Sequence, residues 1–359
     1  MIPTAIRRSV LAAFVAAVQI ACGAQSPASP TPTPTPTPPV VADPLSEAAA
    51  AAGKLVGAAV QSSFLNDMRY SEVLGRHFNY LTAEYEMKWD PIERTQGVED
   101  FSGADAIAGY AAGRGMRLKG HALIWHNAVP GWVERLTADD LRAAFARHIR
   151  SVATHYRGQV FAWDVVNEAV ADDGSGLRDT VFRQKLGDGY IADAFRLAHE
   201  ADPQALLFYN DYGGEELNGK ADRIYDLVRD LKREGVPIDG VGLQMHISAA
   251  SPPSDSSVAA NMRRLAALGL LVNISEMDVR IRDVPGPSTT RLDVQKSVYR
   301  SVVGVCVDDP GCHAVTFWGF TDAHSWIDSF FGADDPLLFD ERYAPKPAFY
   351  GVLDAFRRR

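Results

Sequence analysis

The chain has 359 residues, of which 47% are hydrophobic and 23% charged, so it can bury a large core as one large domain or two medium ones. It carries 36 Lys and Arg against 45 Asp and Glu, a formal net charge of -9. This acidic balance argues against nucleic acid and anionic membrane as partners, because both select a cationic surface. A neutral polymer such as a polysaccharide makes no such demand.

The first 21 residues predict an export signal. Arg7 and Arg8 precede a mostly apolar segment, residues 9–21, which is too short to span a membrane but fits the core of a signal peptide. The segment closes on Gln19-Ile20-Ala21-Cys22-Gly23. This string resembles a bacterial lipoprotein processing site with Cys22 as the lipidated residue, although Gln19 stands where leucine is usual. We therefore expect an exported protein, held at an outer membrane or cell surface by lipid at Cys22 or otherwise secreted.

Residues 22–44 predict a linker. Its centre, residues 30–39, alternates proline with threonine, so alternate residues lack the amide donor that a helix or a sheet requires. Such a segment stays extended and acts as a semi-rigid spacer.

Residues 45–359 are predicted to form one globular domain, in which short apolar runs alternate with helical patterns. This alternation is typical of repeated β-α units. We predict strands at residues 55–60, 79–84, 117–122, 160–166, 205–210, 241–245, 271–276 and 314–318, and helices at 139–156, 191–201 and 220–234. Eight strands favour an α/β fold, a single (β/α)8 TIM barrel. The alternative is a doubly wound open sheet, but no glycine-rich phosphate loop follows the first strand.

Two cysteines lie near the last predicted strand. Cys306 and Cys312 are predicted to form a disulfide, because exported proteins fold in oxidising compartments. The alternatives are two reduced core cysteines or a metal pair, and no further Cys/His pair follows at zinc spacing.

Two glutamates, Glu168 and Glu276, each end a short apolar run. A β/α barrel places its active site at the carboxyl ends of its strands, where two carboxyl groups could cleave a glycosidic bond. The alternative is a pair of surface acids just past their strands. The other strand ends carry Trp, His, Gln, Asn and acids, a mixture that packing alone does not explain. Sugar rings stack their CH faces on aromatic rings, and their hydroxyls need fixed donors and acceptors.

Seven strings, taken in order, resemble glycoside hydrolase family 10 endo-β-1,4-xylanases from about residue 57 to residue 350. They are Glu84-Tyr85-Glu86-Met87-Lys88-Trp89, His121-Ala122-Leu123-Ile124-Trp125-His126, Trp163-Asp164-Val165-Val166-Asn167-Glu168, Gln244-Met245-His246, Ser275-Glu276-Met277-Asp278-Val279, Trp318-Gly319-Phe320-Thr321-Asp322 and Lys346-Pro347-Ala348-Phe349-Tyr350.

The resemblance implies a retaining endo-xylanase with Glu168 as the acid/base and Glu276 as the nucleophile. His246, oriented by Asp278, is expected to support Glu276, and Gln244 to support Glu168. Asn167 is expected to bind the 2-hydroxyl of the sugar being cleaved. The remaining expected substrate contacts are Glu84, Lys88, His121 and Trp125 on the non-reducing side, Trp318 and Trp326 as stacking walls, and Tyr212 near the acceptor side.

The chain departs from the family pattern at two positions. Tyr85 stands where an Asn usually contacts the second sugar upstream, and Ala128 stands where a Gln is common, so upstream binding is in question. No cofactor or metal is expected, and we expect a monomer that binds xylan or xylo-oligosaccharides. The competing hypotheses are a β-1,4-glucanase, a non-catalytic surface carbohydrate-binding protein, and a metal hydrolase using His121, His126 and His246.

Overall fold

A computed structural model describes residues 43–358. The predicted signal peptide, most of the predicted linker and Cys22 lie outside the described residues. Within the described part of the chain, no helix has the length and hydrophobicity needed to cross a membrane.

Residues 43–358 contain nine strands, which pair only in parallel. They are β1 (Leu55–Val60), β2 (Tyr80–Ala83), β3 (Arg117–Trp125), β4 (Val160–Asn167), β5 (Leu206–Asp211), β6 (Gly240–Leu243), β7 (His246–Ser248), β8 (Leu271–Arg280) and β9 (Cys312–Phe317). Eight of them close into a barrel, because β1 pairs with β9 and β6 pairs with β8, while β7 pairs only with the outer part of β8. The predicted TIM barrel is confirmed.

Most helices of residues 43–358 connect successive strands, as in a β/α barrel, while α1 precedes β1 and α11 and α12 follow β9. They are α1 (Leu45–Ala51), α2 (Met68–His77), α3 (Trp89–Ile92), α4 (Ser102–Gly113), α5 (Ala138–His155), α6 (Val181–Leu186), α7 (Tyr190–Ala201), α8 (Gly219–Arg233), α9 (Asp255–Ala266), α10 (Ser288–Asp308), α11 (Trp326–Phe330) and α12 (Pro347–Phe356). Side-chain caps fix where two long helices begin. The Thr137 hydroxyl accepts from the N–H of Asp140 at 3.2 Å, and the Asn218 side chain accepts from the N–H of Ala221 at 2.8 Å.

The predicted strand at 241–245 is interrupted. β6 ends at Leu243, Met245 has a φ of 68°, and the chain resumes as β7. A non-glycine residue in this left-handed region is uncommon and persists where its surroundings hold it. The interruption lies where Gln244 and His246 hydrogen-bond to the two glutamates.

The predicted disulfide is present. Cys306 in α10 and Cys312 at the start of β9 are bonded, with their Cα atoms 5.2 Å apart. Both residues are buried in the main hydrophobic core, so the bond ties a helix of the outer layer to a barrel strand.

Candidate active site

The predicted site residues of the described chain meet at one end of the barrel, because parallel strands direct their carboxyl ends to the same side. His121, Trp125 and Asn167 lie on β3 and β4, and Glu168 follows β4 directly. Glu276 and Asp278 lie on β8. The loops and short elements that follow other strands carry Glu84, Lys88, Tyr212, Gln244, His246, Trp318 and Trp326.

Glu168 is a buried carboxyl held by donors on two sides. Its side chain is 7% exposed, and its backbone lies in the left-handed region at φ 59°. Trp125 Nε1 donates to its Oε2 at 2.7 Å, and Gln244 Nε2 donates to its Oε1 at 3.1 Å. Burial raises the pKa of Glu168, which these two hydrogen bonds offset only in part. The carboxyl therefore holds its proton to a higher pH than an exposed glutamate does.

Glu276 is equally buried, at 4% exposure, but its surroundings favour the charged form. Asn210 Nδ2 donates to its Oε1 at 2.6 Å, and His246 Nε2 lies 3.2 Å from its Oε2. His121 Nδ1 lies 3.8 Å from Oε1. Burial by itself would raise the pKa of Glu276, but the attraction of His121 and the hydrogen bond and charge of His246 outweigh it and lower that pKa.

His246 is the centre of a second chain of contacts. Its Nδ1 lies 2.8 Å from Asp278 Oδ2, and the same oxygen accepts from Trp326 Nε1 at 2.8 Å. Burial opposes a charge on His246, but Asp278 and then Glu276 raise its pKa to about 10. The imidazolium form can donate to both acids at once. The structure thus places His246 between Glu276 and Asp278.

A buried polar network connects the two glutamates. Asn210 Nδ2 reaches Asn167 Oδ1 at 2.9 Å as well as Glu276, and Gln244 Nε2 reaches Asn167 Oδ1 at 3.2 Å as well as Glu168. Asn210 was not among the predicted site residues. Gly242 makes room for it, because a Cβ at that position would lie 2.1 Å from Asn210 Oδ1.

Beneath the network lies a second group, of which the prediction named only His121. Asp164 Oδ2 lies 2.9 Å from His121 Nδ1 and 2.8 Å from Lys119 Nζ, and all three side chains are buried. Burial opposes the charge of Asp164, but Lys119 and then His121 keep its pKa below its ordinary value. The signal was a charged residue inside each of two apolar runs, on β3 and on β4.

The side chains of Glu84, Lys88, His121 and Trp125, from β3 and the segment after β2, form one wall of the site. The amine of Lys88 is buried in this wall. Lys88 Nζ lies 4.3 Å from the ring centroid of Trp125 and 5.9 Å from that of Trp318, and burial lowers its pKa. Burial raises the pKa of the neighbouring Glu84 carboxyl. Tyr85, 41% exposed, places its ring 5.8 Å from the same amine. This wall combines aromatic faces with fixed polar groups, as sugar binding requires.

Tyr212 lies on the other side of Glu168. Its hydroxyl donates to Asp172, and Lys220 Nζ sits 3.8 Å from its ring centroid. Arg178 ties this cluster to the acid/base segment, because its Nε donates to the main-chain oxygen of Glu168 at 3.0 Å.

Within residues 43–358, no group of three or more His, Cys, Asp or Glu side chains is arranged to hold a metal ion.

The chain resembles known proteins in sequence and in fold. The profile of Glycosyl hydrolase family 10 matches residues 44–355. Endo-1,4-beta-xylanase B of Thermotoga neapolitana is 40% identical over 294 residues, which cover 81% of this chain and 84% of that enzyme. An endo-1,4-beta-xylanase of Agaricus bisporus is 38% identical over 84% of this chain and 91% of its own. The crystal structure of xylanase 10B from Thermotoga petrophila in complex with xylobiose superposes with a TM-score of 0.84 at 40% identity, covering 87% of this chain and 97% of that one. The chain therefore belongs to glycosyl hydrolase family 10.

Proposed function

We propose that the protein hydrolyses internal β-1,4-xylosidic linkages of xylan by a retaining mechanism, in two displacement steps. The observation that carries this proposal is the pair of buried carboxyls with opposite pKa shifts, Glu168 raised and Glu276 lowered, at the mouth of one barrel. The substrate is proposed from the relatives, which are named endo-1,4-beta-xylanases.

In the first step, Glu276 attacks the anomeric carbon while Glu168 gives its proton to the departing glycosidic oxygen. The ionised form of Glu276 suits the attack, and the protonated form of Glu168 suits the donation. The carbon–oxygen bond of the linkage breaks as a covalent bond from the sugar to Glu276 forms. The leaving chain departs with the proton.

In the second step, Glu168, now ionised, takes a proton from water as that water attacks the same carbon. The bond to Glu276 breaks, and the sugar leaves with its original β configuration because the carbon has been inverted twice. Gln244 and Trp125 hold Glu168 in place for both proton transfers, through their hydrogen bonds to its two oxygens.

The substrate contacts follow from the positions of the side chains around the two acids. Asn167, hydrogen-bonded to Asn210 and Gln244, is proposed to bind the 2-hydroxyl of the sugar being cleaved. The wall with Glu84, Lys88, His121 and Trp125 is proposed to bind sugars on the non-reducing side. Tyr212 is proposed for the acceptor side, and Trp318 and Trp326 for stacking.

The test is a reducing-sugar assay on xylan, β-1,4-glucan and mannan, with and without a chelator. We expect release from xylan, unaffected by the chelator, and no more than a trace from Glu276→Ala. The exposed Glu72→Gln on α2 is the matched control and should keep full activity. Preferential hydrolysis of glucan points instead to a glucanase, loss of activity with chelator to a metal hydrolase, and binding without hydrolysis to a carbohydrate-binding protein.

We also propose that the protein acts outside the cell as a monomer, tethered by lipid at Cys22 and held off the membrane by the proline-rich linker. The motif around Cys22 supports export and the lipid, and the proline-rich sequence supports the spacer.

A further inference from the structure

β8 continues beyond the two acids that it contributes to the site. Side chains alternate along a strand, so Glu276, Asp278 and Arg280 lie on one face, with Arg280 outermost. The Arg280 guanidinium lies 4.1 Å from the ring centroid of Phe331. The centroid of the Phe331 ring in turn lies 5.7 Å from that of the Trp326 ring. A continuous row of contacts therefore leads from the candidate nucleophile to Arg280.

Phe330 extends this row outward. The centroid of its ring lies 5.5 Å from that of Trp326 and 4.9 Å from that of Phe331. Phe330 is nevertheless 73% exposed. An aromatic ring left in water beside a sugar-binding cleft can pack against the CH face of a further sugar. We call the surface of Arg280, Trp326, Phe330 and Phe331 the β8 rim.

The Arg280 guanidinium has no carboxylate or hydrogen-bond acceptor among residues 43–358, and its Nε is buried without one. Its neighbour Arg282 has Asp283 at 3.8 Å. Asp334, which lies beside this segment, accepts instead from the main-chain N–H groups of Ile281 and Arg282. Arg280 is thus a cation packed against Phe331 whose two terminal NH2 groups remain free to bind an anion.

We propose that the β8 rim binds the carboxylate of a uronic acid side group on the xylan chain, with Arg280 as the residue that recognises it. This inference rests on the proposed function. A guanidinium binds a carboxylate through two parallel hydrogen bonds, and the exposed Phe330 ring offers a surface for the sugar that carries it. On a protein of net charge -9, a local cation also removes the repulsion that an acidic polymer meets elsewhere.

The test compares two forms of one substrate, a glucuronoxylan and the same polymer with its carboxyl groups reduced to alcohols. We expect the wild-type protein to show a higher kcat/KM on the acidic form, by about fivefold at low salt. The preference should shrink as salt is raised, because salt screens a partly exposed ion pair. Equal kcat/KM on the two polymers at low salt would overturn the proposal.

Arg280→Gln should lower the ratio of the two kcat/KM values to about one, and Arg280→Lys should keep part of it, because lysine retains the charge but not the fork. The control is Arg233→Gln on the exposed end of α8, which should leave the ratio unchanged. An Arg280→Gln protein that retains the full preference contradicts the assignment.

The polymer comparison with wild-type protein needs no variant, so it decides the matter even if Arg280→Gln fails to fold. Hydrolysis of both polymers with equal kcat/KM contradicts only the proposal that the β8 rim binds a carboxylate. Failure to hydrolyse either polymer contradicts the proposed function itself.

Discussion

At the scale of single residues, the site depends on two carboxyls with similar burial and opposite environments. Glu168 receives hydrogen bonds from neutral donors, Trp125 and Gln244, so desolvation dominates and raises its pKa. Glu276 faces His121 and His246, whose charge outweighs desolvation and lowers its pKa. The division of labour between acid and nucleophile thus comes from the neighbours, because the two side chains are chemically identical.

This difference predicts a bell-shaped pH profile of kcat/KM. Glu276 must be ionised, so activity falls as pH drops through its lowered pKa. Glu168 must be protonated, so activity falls as pH rises through its raised pKa.

The Glu168→Ala variant should lose roughly 100- to 10,000-fold in activity on xylan. On an aryl xylobioside whose leaving group needs no proton, the variant should lose the alkaline limb. Persistence of that limb would assign it to another group.

Asn210 offers a test of how the nucleophile is kept ionised. Asn210→Asp replaces the donor at 2.6 Å from Glu276 with a carboxylate, which disfavours a second negative charge and raises the pKa of Glu276. We expect the acid limb to move to higher pH and kcat to fall by about 100-fold. Asn218→Asp keeps its capping oxygen at the start of α8 and should leave the profile unchanged. An unmoved acid limb in Asn210→Asp would remove Asn210 from this role.

At the scale of elements, the sequence predicted the strands well because each is a short, nearly continuous apolar run. The bounds of α5, α7 and α8 were predicted to within one residue. In the structure, side-chain caps at Thr137 and Asn218 fix where two of these helices begin. β3 and β8 extend beyond their predicted ends, to Trp125 and to Arg280. In β8 the added residues include Asp278 and Arg280, which resemble a loop when read alone.

Some of the site depended on contacts between distant parts of the chain. Asn210 belongs to the polar strand ends that the sequence showed, but an asparagine after an apolar run predicted no specific role for it. Its role appears only when Asn167 and Glu276, from two other strands, are placed beside it. The residues that the family resemblance supplied were found because their order along the chain is itself a signal.

The disulfide between α10 and β9 predicts a modest gain in stability. Replacing both Cys306 and Cys312 with alanine should cost about 2 kcal/mol, because the closed loop is short and restricts the unfolded chain only a little. In a domain of this size, that corresponds to a fall in Tm of roughly 3 °C. Calorimetry of the double variant should match wild-type protein measured in reductant. A loss of folding would mean that the bond does more than close this loop.

At the scale of the whole molecule, the proposed arrangement is a catalytic barrel with a spacer and a lipid. The net charge of -9 disfavours direct adsorption to anionic lipid, so a covalent anchor is the means of attachment that the sequence offers.

A substitution at Cys22 tests the anchor. Cys22→Ala should move the protein from the membrane fraction to the soluble fraction, or leave it as an uncleaved precursor, with unchanged kcat on xylan. Fractionation and mass spectrometry of the mature N-terminus measure both outcomes. Wild-type protein found wholly soluble, with an unmodified N-terminus beyond residue 22, contradicts the anchor.

The central claim is that Glu276 forms a covalent bond with the sugar during each turnover. A xylobioside with fluorine at C2 and a good leaving group should trap this intermediate. The fluorine slows both the formation and the hydrolysis of the intermediate, while the good leaving group speeds its formation alone. Peptide mass spectrometry should then find one 2-fluoroxylobiosyl group on the peptide that contains Glu276, and none in Glu276→Ala. A label on a different carboxyl, or turnover with no label at all, would contradict the account.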